Sequence, residues 1–333
     1  MIDTPAAARK ANELETVAVA LLAAGKEPEG IALLDRVARL RGTPGFRGLL
    51  WCAYLNFQGR MAEAEAETRA AFTLFEHPEE NPRLKGKSPP YHALHFALLS
   101  GGRVREDTAL WKGRVGKPVL PSWVAVQFAR AKGSADELEP ALLLYAREAK
   151  EPAWQVDLDG ARYFAFAGDK VRSRARVLGV KSSPDWNTSL VELERRAGEA
   201  ILAWSEGRLE DADRLLAGNL GDASVMDRYF GRQLAGTFHF TSGDCPGAVK
   251  SLEEARAVPW PSQPWYRSYF LPLILHRLAT CYEKAGDLPK ARERNAEMLK
   301  RWERADPDLP LLIEAKAMRE RLAGATDSAS SSR

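Results

Sequence analysis

A glycine returns at a near-regular interval along this chain, each time at the end of an apolar helical stretch. It stands at Gly25, Gly59, Gly102, Gly133, Gly168, Gly207, Gly243 and Gly286, with separations of 34, 43, 31, 35, 39, 36 and 43 residues. Asp, Arg or Lys often follows it, and an Ala-rich helical stretch opens a few residues later. A helix that must reverse sharply commonly ends on a left-handed residue, and glycine takes that conformation without a Cβ clash. The spacing therefore predicts about eight helical hairpins, roughly sixteen helices, stacked in one continuous array over residues 1–323.

Five positions after each glycine, a small residue lets the two helices of a hairpin approach closely. It is Ala64, Ala212, Ala248 and Ala291 in the best cases, and Gly30, Leu138, Ser173 and Asp107 elsewhere. Asp107 makes the third unit the poorest match. Within the units apolar residues recur at spacings of three and four, as from Ile31 to Leu40, and no stretch sustains the alternation of a strand. Pro44 and Pro78 fall near repeat boundaries, where a residue that cannot continue a helix fits. The expected class is all-α, an α-solenoid.

The last unit carries a resemblance. Leu275, Leu278, Ala279, Tyr282, Gly286, Asp287 and Ala291 follow the first-helix pattern of the tetratricopeptide (TPR) repeat, whose period is about 34 residues. Asn295 replaces the usual aromatic and Met298 the usual Ala. The stretch from Cys281 to Leu322 resembles the end of the C-terminal TPR arrays of bacterial serine/threonine kinases and transcriptional regulators. That resemblance implies a right-handed superhelix and a bacterial scaffold or regulatory array for protein–protein interaction. The kinase motifs themselves are missing, with no Gly-rich phosphate loop, His-Arg-Asp or Asp-Phe-Gly.

In TPR arrays the first helix of each hairpin lines a concave groove. With glycine as position 15, inward positions 5, 9 and 12 give Asn56; His92 and Phe96; Trp123, Gln127 and Arg130; Arg162; Trp204; Gln233, Thr237 and Phe240; His276, Thr280 and Glu283. Aromatics among hydrogen-bonding groups suit a protein or peptide partner, with Arg130 and Arg162 placed to clamp a carboxylate. The alternative for each aromatic is packing between hairpins. The Pro- and aromatic-rich segment from Val258 to Phe270, with Trp260, Trp265 and Tyr266, reads as an ordered inter-repeat loop, either packed on the array or in contact with a partner.

The net charge is only +3, but residues 81–132 carry 10 Lys/Arg against Glu106 and Asp107 alone. A second basic run spans Arg162 to Lys181. Basic stretches interleaved with aromatics can hold single-stranded nucleic acid. The acidic stretch 133–161 between them favours an acidic protein partner instead, with nucleic acid as the alternative.

Nothing supports an enzyme, a cofactor or a metal. Gly86-Lys87-Ser88 has Asn81 where a phosphate loop needs glycine, and Pro89-Pro90 where its helix should start. His92 and His95 need a further ligand to hold a metal. A dispersed catalytic site is the third, unsupported reading. Cys52, Cys245 and Cys281 form no disulfide framework, and Cys52 and Cys281 lie in apolar helical runs. No segment reads as a signal peptide or a membrane span. A cytoplasmic protein with a disordered tail over 324–333 is expected.

Overall fold

The computed structural model describes residues 5–43, 47–76, 91–115, 135–148, 152–188, 192–217, 225–258 and 264–330. Among them the regular secondary structure is helical and no strand occurs. The helices are α1 (Pro5–Ala23), α2 (Glu27–Arg41), α3 (Leu49–Phe57), α4 (Met61–Glu76), α5 (Tyr91–Ser100), α6 (Val104–Val115), α7 (Ala135–Glu148), α8 (Ala153–Phe166) and α9 (Lys170–Lys181). The single turn α10 (Asp185–Thr188) follows, then α11 (Glu192–Ser205), α12 (Leu209–Ala217), α13 (Val225–Thr241), α14 (Cys245–Ala257), α15 (Pro264–Lys284), α16 (Leu288–Arg301) and α17 (Pro310–Ser330). None of the described helices is long and apolar enough to cross a membrane.

The recurring glycines do what their spacing predicts. Gly25, Gly59, Gly102, Gly168, Gly207, Gly243 and Gly286 all have φ between 72° and 83°; Gly133 lies outside the described residues. At Gly243 the mechanism is complete. Its N–H donates to Phe240 O, and the next N–H, of Asp244, reaches back to His239 O at 2.9 Å. Both carbonyls belong to the last turn of α13 and have no partner inside the helix. Asp244 then starts the second helix, its side chain accepting the Gly247 N–H at 3.1 Å. Asp169 and Asp287 do the same for Arg172 and Lys290. The Gly-Asp pair thus ends one helix and caps the next.

The residue five places beyond each described glycine is buried, Gly30 and Asp107 included, and so is Leu138. A Cβ on Gly30 would sit 2.8 Å from Leu22. Asp107 is no misfit: its carboxylate lies 2.6 Å from His95 Nδ1, both side chains fully buried, so a polar contact joins α5 to α6. Ser173 solves the same problem by donating to Ala161 O at 2.7 Å.

The chain divides into two compact units. The first comprises Met1–Asp107, Pro259–Phe270 and Lys300–Ala305. Its core joins Leu22, Leu34, Trp51 and Leu55, with Ala18, Ala64 and Ala97 where helices approach. Cys52 lies beside Ala71 and Ala93, and burial pushes its thiol up to about 12. The segment 300–305 supplies donors to helix ends. Arg301 donates to Asn56 O and Phe57 O at 3.0 Å each, and Trp302 Nε1 to Ser100 O at 3.1 Å. These carbonyls close α3 and α5 and lack intrahelical partners.

The second unit comprises Thr108–Val258, Leu271–Leu299 and Asp306–Arg333. The pairs α8–α9, α11–α12 and α13–α14 are helical hairpins, and α8, α11 and α13 touch one another. Trp204 and Phe238 stack at 4.8 Å in its interior, both fully buried. Three features depart from the sequence reading. The turn α10 inserts Trp186 against Gly198, where a Cβ would sit 2.9 Å from the ring. The segment expected to be a loop is helical from Pro264 onward, because proline is at home in a first helical turn. The tail expected to be disordered from Gly324 continues α17 as far as Ser330, its alanines favouring helix.

Candidate functional site

The groove positions read from the sequence divide sharply in the structure. Asn56, Trp204, Gln233 and Thr237 are buried almost completely, and His276 nearly so. Phe96, Arg162, Phe240 and Thr280 remain half-buried. His92, Trp265 and Tyr266 lie in helices, α5 for the first and α15 for the others. Trp123, Gln127, Arg130 and Trp260 lie outside the described residues, and with Arg130 so does one half of the expected Arg130–Arg162 clamp.

The buried polar groups are tied into the second unit. Arg277, which the sequence reading did not single out, donates through Nη1 to Thr237 Oγ1 at 2.6 Å and through Nη2 to Phe166 O. Phe166 ends α8, so this guanidinium meets the negative end of a helix, and it also lies over the Phe240 ring. Burial still lowers its pKa to about 10. His276 Nε2 lies 3.1 Å from Glu314, and burial lowers its pKa despite that carboxylate. Both ends of the Gln233 carboxamide are buried with no hydrogen-bond partner among the described residues.

The second basic run is largely ion-paired. Arg162 faces Asp159 at 3.1 Å, and Arg172 faces Asp136 at 2.8 Å. Arg176 sits between Glu139 and Asp157 at 2.5 Å each, and Arg174 lies 3.7 Å from Glu206. The acidic stretch 133–161 supplies most of these partners. Lys170 and Lys181 lie over the rings of Trp204 and Trp186. From the first basic block, Arg103 pairs with Glu65 and Glu106.

A cleft of about 320 Å³ opens between α12, α13 and α14. Its walls include Asp213, Leu216 and Ala217 from α12, Gly231, Arg232, Ala235 and His239 from α13, and Gly247, Lys250 and Ser251 from α14. His239 bridges two carboxylates, Nε2 to Asp213 at 2.8 Å and Nδ1 to Asp244 at 2.7 Å. The Gly247 N–H first, and His239 second, hold Asp244 below the usual carboxylate range. Gly247 has to be glycine, since a Cβ there would meet His239 Nδ1 at 2.2 Å. Arg232 is neutralised by Glu254 at 2.8 Å.

Sequence reasoning missed this cleft because Asp213 is 26 residues from His239 and looks like an exposed helix-face acid. The one local signal was an acid five residues after His239 in the Gly-Asp turn. Among the described residues no group of three or more His, Cys, Asp or Glu is arranged to hold a metal ion. Comparison with protein-family models and with curated proteins finds no match to the chain.

Proposed function

We propose that this chain is a tetratricopeptide-type solenoid that recognises a protein or peptide and serves as a scaffold or adaptor. The observation that carries the reading is the repeated device: a left-handed glycine, then a second helix with a buried residue five places on. Hairpins built this way stack on their neighbours, and arrays of them present an extended face to a partner. Phe96 and Phe240 are the aromatic groove positions that keep exposure, and half-exposed aromatics are efficient anchors for a peptide. A cytoplasmic, regulatory role belongs to the same proposal.

The nucleic-acid alternative, through residues 81–132 and 162–181, draws less support. A free cationic stripe is what phosphate contacts require, and Arg162, Arg172, Arg174 and Arg176 face carboxylates instead. The charge balance of the first block, 10 Lys/Arg against Glu106 and Asp107 over residues 81–132, keeps an acidic protein partner as the preferred class.

The test is position-specific photo-crosslinking in extracts of the native host. A photoreactive residue at Phe96, or separately at Phe240, is expected to capture a protein partner. The controls are Val171 and Ile313, which are 79% and 53% exposed. Equal capture of the same species at the control positions would defeat the groove reading.

A further inference from the structure

The imidazole of His239 stands between two consecutive hairpins. On one side its Nε2 lies 2.8 Å from Asp213 Oδ2, in α12. On the other its Nδ1 lies 2.7 Å from Asp244 Oδ2, in the turn that opens α14. A carboxylate accepts and does not donate, so each contact needs a proton on the ring nitrogen that faces it. A neutral imidazole has one such proton and the imidazolium has two. Both contacts are therefore made together by the charged ring. Gly247 clears the room for it, since a Cβ there would lie 2.2 Å from Nδ1.

The two contacts are not equivalent. Asp244 belongs to the same hairpin as His239, and its Oδ1 accepts the Gly247 N–H at 3.1 Å. That cap fixes the carboxylate whatever the ring does. Asp213 belongs to the other hairpin, 26 residues away in sequence. The ring is its sole hydrogen-bond partner among the described residues, because its Oδ1 is buried without one. When the ring gives up one proton, a nitrogen lone pair must face a carboxylate. With Asp244 held by its cap, the remaining proton stays on Nδ1, and the lone pair of Nε2 confronts Asp213. The contact between the hairpins is then the one that opens. The same hairpins also meet through Trp204 and Phe238, stacked at 4.8 Å between α11 and α13, a contact indifferent to pH. Of the other charged groups on the cleft wall, Arg232 pairs with Glu254 at 2.8 Å, and Lys250 pairs with no carboxylate among the described residues. From α15, Cys281 feels the Asp244 charge, and burial first pushes that thiol up to about 12, so it is neutral at physiological pH.

We propose that His239 is a proton-operated latch between the hairpins α11–α12 and α13–α14: the doubly protonated ring fastens α12 to the cap of α14, and the neutral ring releases Asp213. The latch is closed where the ring carries both protons, and its contribution is lost as pH rises through the ring's deprotonation. It works independently of any macromolecular partner, because all three side chains belong to the second unit.

The experiment uses the full chain labelled with 15N-histidine, with the ring signals assigned through His239→Gln. Ring spectra are followed from about pH 5 to about pH 9. Two protonated nitrogens are expected on the acid side and the Nδ1–H tautomer beyond the step. Amide exchange in α12, corrected for its intrinsic pH dependence, is expected to accelerate about tenfold or more across the same step, since a hydrogen bond to a charged group is lost. In Asp213→Asn the carboxamide can accept from a charged ring or donate to a neutral one. That variant is expected to remove the step in α12 while the His239 ring still titrates. Four results would each overturn the latch: a ring whose protonation does not change over this range, a neutral ring with its proton on Nε2, wild-type exchange in α12 that ignores the titration, or a folded Asp213→Asn that keeps the full step. Should Asp213→Asn fail to fold, the wild-type spectra and exchange decide the matter alone.

Discussion

Two glycines five residues apart in α13 give opposite expectations for the same substitution. At Gly236 a Cβ would lie 2.5 Å from Leu252 Cγ and Cδ2, and 3.2 Å from the Leu252 backbone nitrogen. Carbon atoms in contact sit about 3.5–4.0 Å apart, so Leu252, itself fully buried, must move by roughly 1 Å or more. Overpacking of that kind costs about 1–3 kcal/mol. Alanine returns about 0.4–1 kcal/mol by restricting the unfolded chain. Gly236→Ala is therefore expected to destabilise by about 1–2 kcal/mol. Among the described residues a Cβ at Gly231 meets only Leu216 O, at 3.6 Å, and Gly231→Ala is expected to stabilise by about 0.5–1 kcal/mol. The assay is urea unfolding of the full chain followed by far-UV circular dichroism, with hydrogen exchange in α13 to localise the effect. The two variants should shift the midpoint in opposite directions at unchanged slope. A gain in stability from Gly236→Ala, or a loss from Gly231→Ala as large as that expected at Gly236, would refute the packing argument.

Further expectations concern the core, the helix ends and pH. Trp204→Ala removes the largest fully buried side chain among the described residues of the second unit, stacked on Phe238, and should cost about 3–5 kcal/mol, read as a fall in urea midpoint. Arg301→Met keeps most of the stem and removes two bonds to the carbonyls that end α3; a loss of about 1–3 kcal/mol is expected, with faster exchange in α3. Asp244→Ala removes an N-cap and should cost about 1 kcal/mol near neutral pH. Because the folded state holds Asp244 below its usual range, that contribution is present above the unfolded pKa and fades as pH falls through the lower folded value. The difference between wild type and Asp244→Ala should therefore shrink in acid titrations below about pH 4.

What the sequence made legible was local. A glycine reversal is decided within a few residues, so Gly25, Gly59, Gly102, Gly168, Gly207, Gly243 and Gly286 were found from spacing alone. The close-approach position was equally local, but its chemistry was not. Asp107 looked unsuitable because its partner His95 sits on the other helix of the hairpin. The groove reading assumed that position in a repeat decides exposure. It left out contacts between first helices, and those bury Gln233 and Thr237 with Arg277, whose carbonyl partner Phe166 is 111 residues distant. Charge blocks misled for the same reason. The acidic stretch 133–161 and the basic run after it looked like separate surfaces, and the fold sets their residues face to face.

The donors at Arg301 and Trp302 also impose an order of events during synthesis. Helices α3 and α5 leave the ribosome long before the residues that close their ends, since Asn56 waits 245 residues for Arg301 and Ser100 waits 202 for Trp302. Until then the Asn56 carbonyl keeps only the Gly59 N–H of its own turn, at 3.1 Å, and the Ser100 carbonyl turns to water. The final consolidation of the first unit consequently waits for residues 300–305 to be made, however early its helices form.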